Sequence, residues 1–226
     1  KGFRQGKAPR AIAADQIDPD KLSNHILNHV LNNVIDQALR ENKLRLLGRP
    51  VLENIDAKDK EGWLIKISLP LYPEIDLKNY QKLLPKPGKS KSAAKETEEQ
   101  KIDRIYQVLL DKVKIDVPQS VIEEEVNYSL ERLTSQAKTL NLTLENYLKA
   151  VNKNLDQVKL EYAKKAEESI KLDLILLEIA KVAKIDTDSE EIKKIAASGG
   201  VADTQLSQLK TIIDRRKTVE LLLKLC

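Results

Sequence analysis

From about residue 98 to the end of the chain, apolar residues return every three or four positions, the spacing that covers one face of an α-helix. No other feature of the 226 residues restricts the fold as much. Ile102, Ile105, Tyr106, Leu109, Leu110 and Val113 mark one helix. Pro118 opens a second, because its fixed φ suits a first turn and its missing N–H is not needed there. Val121, Ile122, Val126, Leu130 and Leu133 form the face of that helix. Thr143, Glu145 and Asn146 start a short helix through Tyr147 and Val151. A long helix runs from Asn154 to about Ile185 on Leu160, Ala163, Ala166, Ile170, Leu174, Leu177 and Val182. Asp188 precedes another short helix, broken by Ser198, Gly199 and Gly200, and a last helix runs from Asp203 towards Leu225. Aromatic residues make up only 4%, with one Phe and one Trp. Cores must therefore be built from Leu, Ile, Val and Ala, which suits packed helices better than a β-sandwich.

The first third of the chain reads differently. Residues 1–10, KGFRQGKAPR, hold two Gly, one Pro and four basic residues, and form a loop. Asp18 can cap the helix that follows, with Pro19 at its first position and Asp20 adding charge that suits the dipole. Leu22, Ile26, Val30, Val34 and Ala38 recur every four residues beside Leu27, Leu31, Ile35 and Leu39, a wide stripe ending near Asn42. A hairpin comes next. Pro50 to Ile55 is extended, Asp56 to Gly62 is a polar turn, and Trp63, Ile65, Ile67, Leu69 and Leu71 alternate as the apolar face of a strand. Pro70 and Pro73 place that strand at an edge or end. Residues 83–100, LLPKPGKSKSAAKETEEQ, read as a linker of roughly 20–25 Å mean span. The expected fold class is α+β, mostly α. It consists of a small domain of helices plus hairpin at 1–82, the linker at 83–100, and an all-helical domain at 101–226.

The composition excludes several functions. Hydrophobic residues make up 41% and charged ones 33%, unlike a disordered tail or a membrane protein. With 39 basic against 35 acidic residues the net charge is +4, too mild for a bulk nucleic-acid binder, so RNA contact requires a local patch. No apolar run reaches the length of a membrane span. The single Cys226 allows no disulfide within one chain, which agrees with a reducing cytosol and a cytoplasmic location. The chain begins at Lys1 and has no Met, which reads as a start inside a longer gene product. His25 and His29 are one helical turn apart, a spacing that can hold zinc, but Ile26, Leu27 and Asn28 lie between them with no Glu and no third ligand. They read as helix-surface histidines, and no metal or cofactor is expected. Glu123, Glu124 and Glu125 read as charge favouring a helix start rather than as a catalytic carboxylate pair.

The loop carries the most specific signal. Gly2 and Gly6 permit an exposed tight bend, and Pro9 stiffens its exit. Phe3 at such a tip is an anchor, whose burial contributes roughly 1.5–3 kcal/mol. Arg4 can bind a carboxylate or phosphate bidentately, while Lys7 and Arg10 add less directional attraction to phosphate. The run Gly2, Phe3, Arg4, Gln5, Gly6, Lys7, Ala8, Pro9 resembles the ribosome-docking signature of the trigger factor family, Gly-Phe-Arg-x-Gly-Lys-x-Pro. Gln5 stands where that family often has Lys. The run LYPEIDL, Leu71 to Leu77, is similar to the end of the family's N-terminal hairpin. KIDVPQSVIEEEV, Lys114 to Val126, is similar to the opening of its helical SurA-like substrate-holding domain.

The resemblance implies an ATP-independent chaperone that docks at the ribosomal exit tunnel and shields nascent or unfolded polypeptides. Its partners would be the large subunit, through a tunnel-exit protein and rRNA, and unfolded chains. A weak homodimer is a further expected partner state, and no membrane contact is expected. Gly2, Phe3, Arg4, Gln5, Gly6, Lys7, Pro9 and Arg10 would dock. Ile122, Val126, Leu130, Leu133, Leu140, Leu142, Tyr147, Leu206, Leu209 and Ile213 would touch clients, against the alternative that they pack on one another. An FKBP-like isomerase domain does not fit between LYPEIDL and the first helix of the second part, so no enzyme activity is expected. Other readings are a holdase that does not use ribosomes and a structural helical adaptor.

Overall fold

A 23-residue helix, α1 (Pro19–Glu41), comes first in the computed structural model, which describes residues 19–58, 62–75, 77, 79–84, 97–199 and 202–225. The chain divides into two compact units, Lys1–Leu47 and Gly48–Cys226. From Val30 to Glu41, the part of α1 whose side chains are described, the half-buried residues are Leu31, Ile35, Ala38 and Leu39. Val30 and Val34, expected in the packed stripe, are about half exposed.

The second unit opens with the hairpin, β1 (Val51–Lys58) antiparallel to β2 (Gly62–Ser68). Leu52 pairs with Ile67 and Ile55 with Ile65, while the register shifts between Leu52 and Asn54. The strand β1 runs through Asp56, Ala57 and Lys58, which had been expected in the turn. Their backbones continue the ladder to Leu64, Trp63 and Gly62, and ladder bonds require no apolar side chain on a solvated ribbon. The approach to β1 is pressed onto the helical part. A Cβ on Gly48 would lie 2.8 Å from Cγ2 of Val121, and Arg49 Nε stands 3.0 Å from Glu124 Oε1. Past β2, Leu77, Tyr80 and Leu84 are buried around a 3₁₀ turn at Tyr80–Lys82. Lys112 Nζ donates to the Leu83 carbonyl at 3.0 Å.

Helices α2 (Glu98–Lys112), α3 (Gln119–Thr139), α4 (Leu144–Ala150), α5 (Leu155–Val182), α6 (Ser189–Gly199) and α7 (Leu206–Leu225) follow. Of the expected linker, Leu84 is buried, Glu98 to Gln100 belong to α2, and residues 85–96 lie outside those described. Side-chain caps start three helices. Thr97 and Gln100 form a capping box on α2, Asn154 and Gln157 form one on α5, and Thr143 accepts from the Asn146 N–H on α4.

The stops share one design. Lys43, Asn141, Asn152 and Lys184 have φ between 53° and 56°, each two residues beyond a helix end. Behind α3, the Leu142 N–H donates to the Ala137 carbonyl and the Asn141 N–H to that of Lys138. The same pair of bonds closes α1, α4 and α5. These are Schellman caps, which satisfy carbonyls that a helix end would otherwise leave open. The position favours glycine, yet none of the four is glycine.

Two packed regions result. Near the base, α2, α5 and α7 pack on one another, with Ile105, Leu109, Ile175, Leu176, Ile179 and Leu222 fully buried. A polar tie joins the α5–α6 turn to α7. Asp214 Oδ1 accepts from both the N–H and the hydroxyl of Thr187, Lys210 Nζ donates to Asp214 Oδ2 at 3.0 Å, and Lys210 also reaches Asp186. Burial pushes the Asp214 carboxyl up, but the bonds from Thr187 and Lys210 outweigh it and hold the group below the usual carboxylate range. Further out, α3 and α5 pack side by side. Ile122, Val126 and Ala166 form one cluster of their seam, and Leu133, Leu148 and Val158 form another that includes α4.

Candidate functional site

The outer end of the α3–α4–α5 group carries more apolar surface than its packing uses. Leu140 is 62% exposed and Val151 44%. Leu142 and Leu155 are exposed beside them in sequence, and Leu144 and Tyr147 are half-buried. The caps cause this. Each Schellman turn ends its helix within two residues, so Leu140 and Val151 fall in short connections with no neighbouring helix to bury them.

Between α4 and the start of α5 lies an apolar recess of about 450 Å³, lined by Leu144, Leu148, Leu155 and the stems of Lys149 and Lys153. Both lysines are neutralised. Lys149 Nζ lies 2.9 Å from Glu145 and Lys153 Nζ 2.6 Å from Glu161. The Lys149 hydrogen bond also holds the Glu145 carboxyl below its ordinary range. The recess therefore offers carbon surface ringed by paired charge, which suits weak contact with an apolar side chain and keeps the patch soluble.

The residues expected to touch clients divide three ways. Ile122, Val126 and Leu133 are buried, and Leu130 packs against both seam clusters. All four pack towards α5 or α4; the first three belong to the core, and Leu130 keeps part of its surface accessible. Leu140 and Leu142 are exposed, and Tyr147 is half-buried, at the outer end. Leu206, Leu209 and Ile213 are half-buried on α7, where Ile212 is 64% exposed. Sequence reasoning missed Val151 and Leu155. Their signal was position: Val151, read above as the end of the short helix, and Leu155, the first residue of α5, flank the Asn152–Asn154 turn. Leu160, expected on the packed face of α5, is 74% exposed.

The loop residues Gly2, Phe3, Arg4, Gln5, Gly6, Lys7, Pro9 and Arg10 lie outside the described residues. His25 and His29 fall on α1, where their side chains are likewise not described. Among the described residues no group of three or more His, Cys, Asp or Glu is placed to hold a metal, and no helix is long and apolar enough to cross a membrane. The expected carboxylate run is engaged singly: Glu124 pairs with Arg49, and Glu123 accepts from Gln119 at 3.1 Å.

Comparison with known proteins adds an independent line. A family model for the bacterial trigger factor protein C-terminus matches residues 85–198, half of the chain, and a model for the bacterial trigger factor protein matches residues 1–108. The two matches overlap at 85–108, so the segments follow one another with no FKBP-type isomerase domain between them. Trigger factor of Caldicellulosiruptor bescii is 31% identical over 100 residues, 44% of this chain and 23% of that protein. Trigger factor of Clostridium tetani is 31% identical over 162 residues, 65% of this chain and 36% of that protein. Over the matched regions the chain thus spans from just under a quarter to just over a third of these relatives' length. Among solved structures, trigger factor domains from Thermotoga maritima are similar at a TM-score of 0.47 and 20% identity, over 66% of this chain and 94% of that one.

Proposed function

The chain belongs to the bacterial trigger factor family, and from that premise we propose that it is an ATP-independent chaperone of the cytosol that docks on the large ribosomal subunit and holds unfolded chain against its helical part. The observation that carries the holding role is the unburied apolar end of α3–α4–α5: Leu140, Leu142, Val151, Leu155 and the recess beside them. Contacts of this kind are individually weak. Spread over several points, including Ile212 on α7, they hold many clients with little sequence choice. Release follows from the client burying its own apolar residues.

Docking rests on the residues of the loop. Phe3 is the anchor, Arg4 pairs with a carboxylate of a tunnel-exit protein, and Lys7 and Arg10 meet rRNA phosphate. We assign docking to residues 1–82 and holding to 101–226, with 83–100 between them. Proline isomerisation is not part of this activity.

Two measurements test the proposal. Suppression of aggregation of a chemically unfolded client should drop in a Leu140→Ser, Leu142→Ser variant of unchanged stability; full retention would remove the assigned surface. Ribosome co-sedimentation should weaken about ten- to fortyfold between 50 and 200 mM salt if three cations meet phosphate. It should be lost in a Phe3→Ala, Arg4→Ala variant. Binding that ignores both would remove the loop as the docking site, and no co-sedimentation by the wild type would leave a holdase that does not use ribosomes.

A further inference from the structure

Along the seam of α3 and α5, on the flank away from Arg49, runs a second recess, of about 300 Å³. Its floor is apolar, made by Leu133, Tyr162 and Ala166. Its rim carries Arg132 from α3 and Lys165 from α5, with Ser129 and Ser169 beside them. Here the charge differs from the outer end. Both lysines of the recess at α4 are matched by a glutamate, whereas Arg132 and Lys165 have no ion-pair partner among the described residues. On α5, Glu161 is committed to Lys153 and Glu167 to Lys171, while the exposed Glu168, three residues from Lys165, adds some negative charge near that end of the rim. Glu125 stands at one end of the recess and limits how much negative charge it can take. From Glu125 to Gln136 the rim follows three turns of α3, about 16 Å at 1.5 Å per residue. That length seats about five residues of extended chain.

From this placement we infer that the α3–α5 seam is a seat for an extended client segment in which one or two acidic side chains alternate with apolar ones. The apolar side chains lie on Leu133, Tyr162 and Ala166, and the carboxylates meet Arg132 and Lys165. Arg132 can take a carboxylate bidentately and Lys165 as a point charge, with the serine hydroxyls as added donors. The inference rests on the chaperone reading and gives it a chemical class of client, which the neutralised outer end does not.

Three fluorescein-labelled peptides test it against the full chain by fluorescence anisotropy: Gly-Leu-Glu-Leu-Glu-Leu-Gly and its counterparts with Gln or Lys in place of Glu. The Glu peptide should bind about fivefold tighter than the Gln peptide, as expected for two solvent-accessible ion pairs, and the Lys peptide more weakly still. An Arg132→Ala, Lys165→Ala variant should bind all three alike, and an Arg132→Glu, Lys165→Glu variant should reverse the order. Both side chains are exposed, so the variants should keep the wild-type melting temperature. As a check free of mutation, the wild-type preference should shrink as salt is raised. Equal binding of the three peptides by wild type, or a preference that survives the Ala variant, overturns the inference. If the Gln peptide still binds and client aggregation is still suppressed, only the seat fails. If neither occurs, the chaperone reading itself fails.

Discussion

The two halves of α5 teach different lessons with one helix. From Leu174 to Ala180 it is enclosed: Leu174, Ile175, Leu176, Ile179 and Ala180 are all buried where α2 and α7 pack on it. From Leu155 to Ser169 it is covered on one side, with only Val158 and Ala166 fully buried and Leu160 in solvent. The enclosed half converts apolar side chains into stability at about 25 cal/mol per Å² removed from water. The half-covered stretch leaves part of that free energy uncollected, and an unfolded client can supply the missing surface. An enclosed segment and the proposed holding surface therefore lie on one helix of about 42 Å.

Mutations in the two halves should separate these roles. The largest effect is expected from Ile175→Ala or Leu222→Ala, each costing about 2–5 kcal/mol through the cavity left behind. Denaturant unfolding followed by circular dichroism measures it, and a cost near zero would break the comparison. Next comes Asp214→Asn, which should cost about 1–3 kcal/mol by weakening the tie to Thr187 and Lys210. The pH dependence has a definite sign. The folded carboxyl titrates below its unfolded value, so its contribution is complete at neutral pH and is lost as acidification passes into the carboxylate range. Wild type should lose stability there, and the Asn variant should lose less. Asp173 acts in the opposite sense, since burial raises its carboxyl despite the pairing with Arg215.

Smaller still, and opposite in direction, Lys184→Gly should stabilise by up to about 1 kcal/mol, by relieving a left-handed conformation that costs a side-chain-bearing residue. Thermal unfolding reads this as a rise in Tm. The smallest effect on stability belongs to the Leu140→Ser, Leu142→Ser variant, within about 0.5 kcal/mol, although it should lose aggregation suppression. If that variant were strongly destabilised instead, the outer end would be core and the division of labour along α5 would fall.

Much of this layout was legible in the residues. The starts read at about residue 98, at Thr143 and at Asn154 fall within a residue or two of those observed, because capping is local chemistry. The helix stops were harder. A search for glycine finds Gly199, but Lys43, Asn141, Asn152 and Lys184 take the left-handed position without it. A usable signal was present: Arg40, Lys138, Lys149 and Lys181 each stand three residues before those positions. Which apolar residues are enclosed was not legible. In the run from Leu174 to Leu177 the residues are apolar all round, so periodicity assigns no face, and only α2 and α7 decide. Conversely, Leu160 fits the period but no neighbour covers it. The tie of Asp186 and Thr187 to Lys210 and Asp214 joins residues more than twenty positions apart, and no short-range pattern announces it. The docking loop is the reverse case. Its chemistry is plain in Phe3, Arg4 and Lys7, and its placement lies outside the described residues.

Leu222 has a consequence for how the molecule comes into being. It shares the base with Ile105 and Leu109, yet a translating ribosome adds it after every other residue of that core. The α3–α4–α5 group draws its seam from residues 122 to 166, all made before α7, so it can take shape while synthesis is still under way. The base must wait for α7. During that interval the growing polypeptide shows its own leucines and isoleucines to the surroundings, and is for a time the kind of molecule it is proposed to protect.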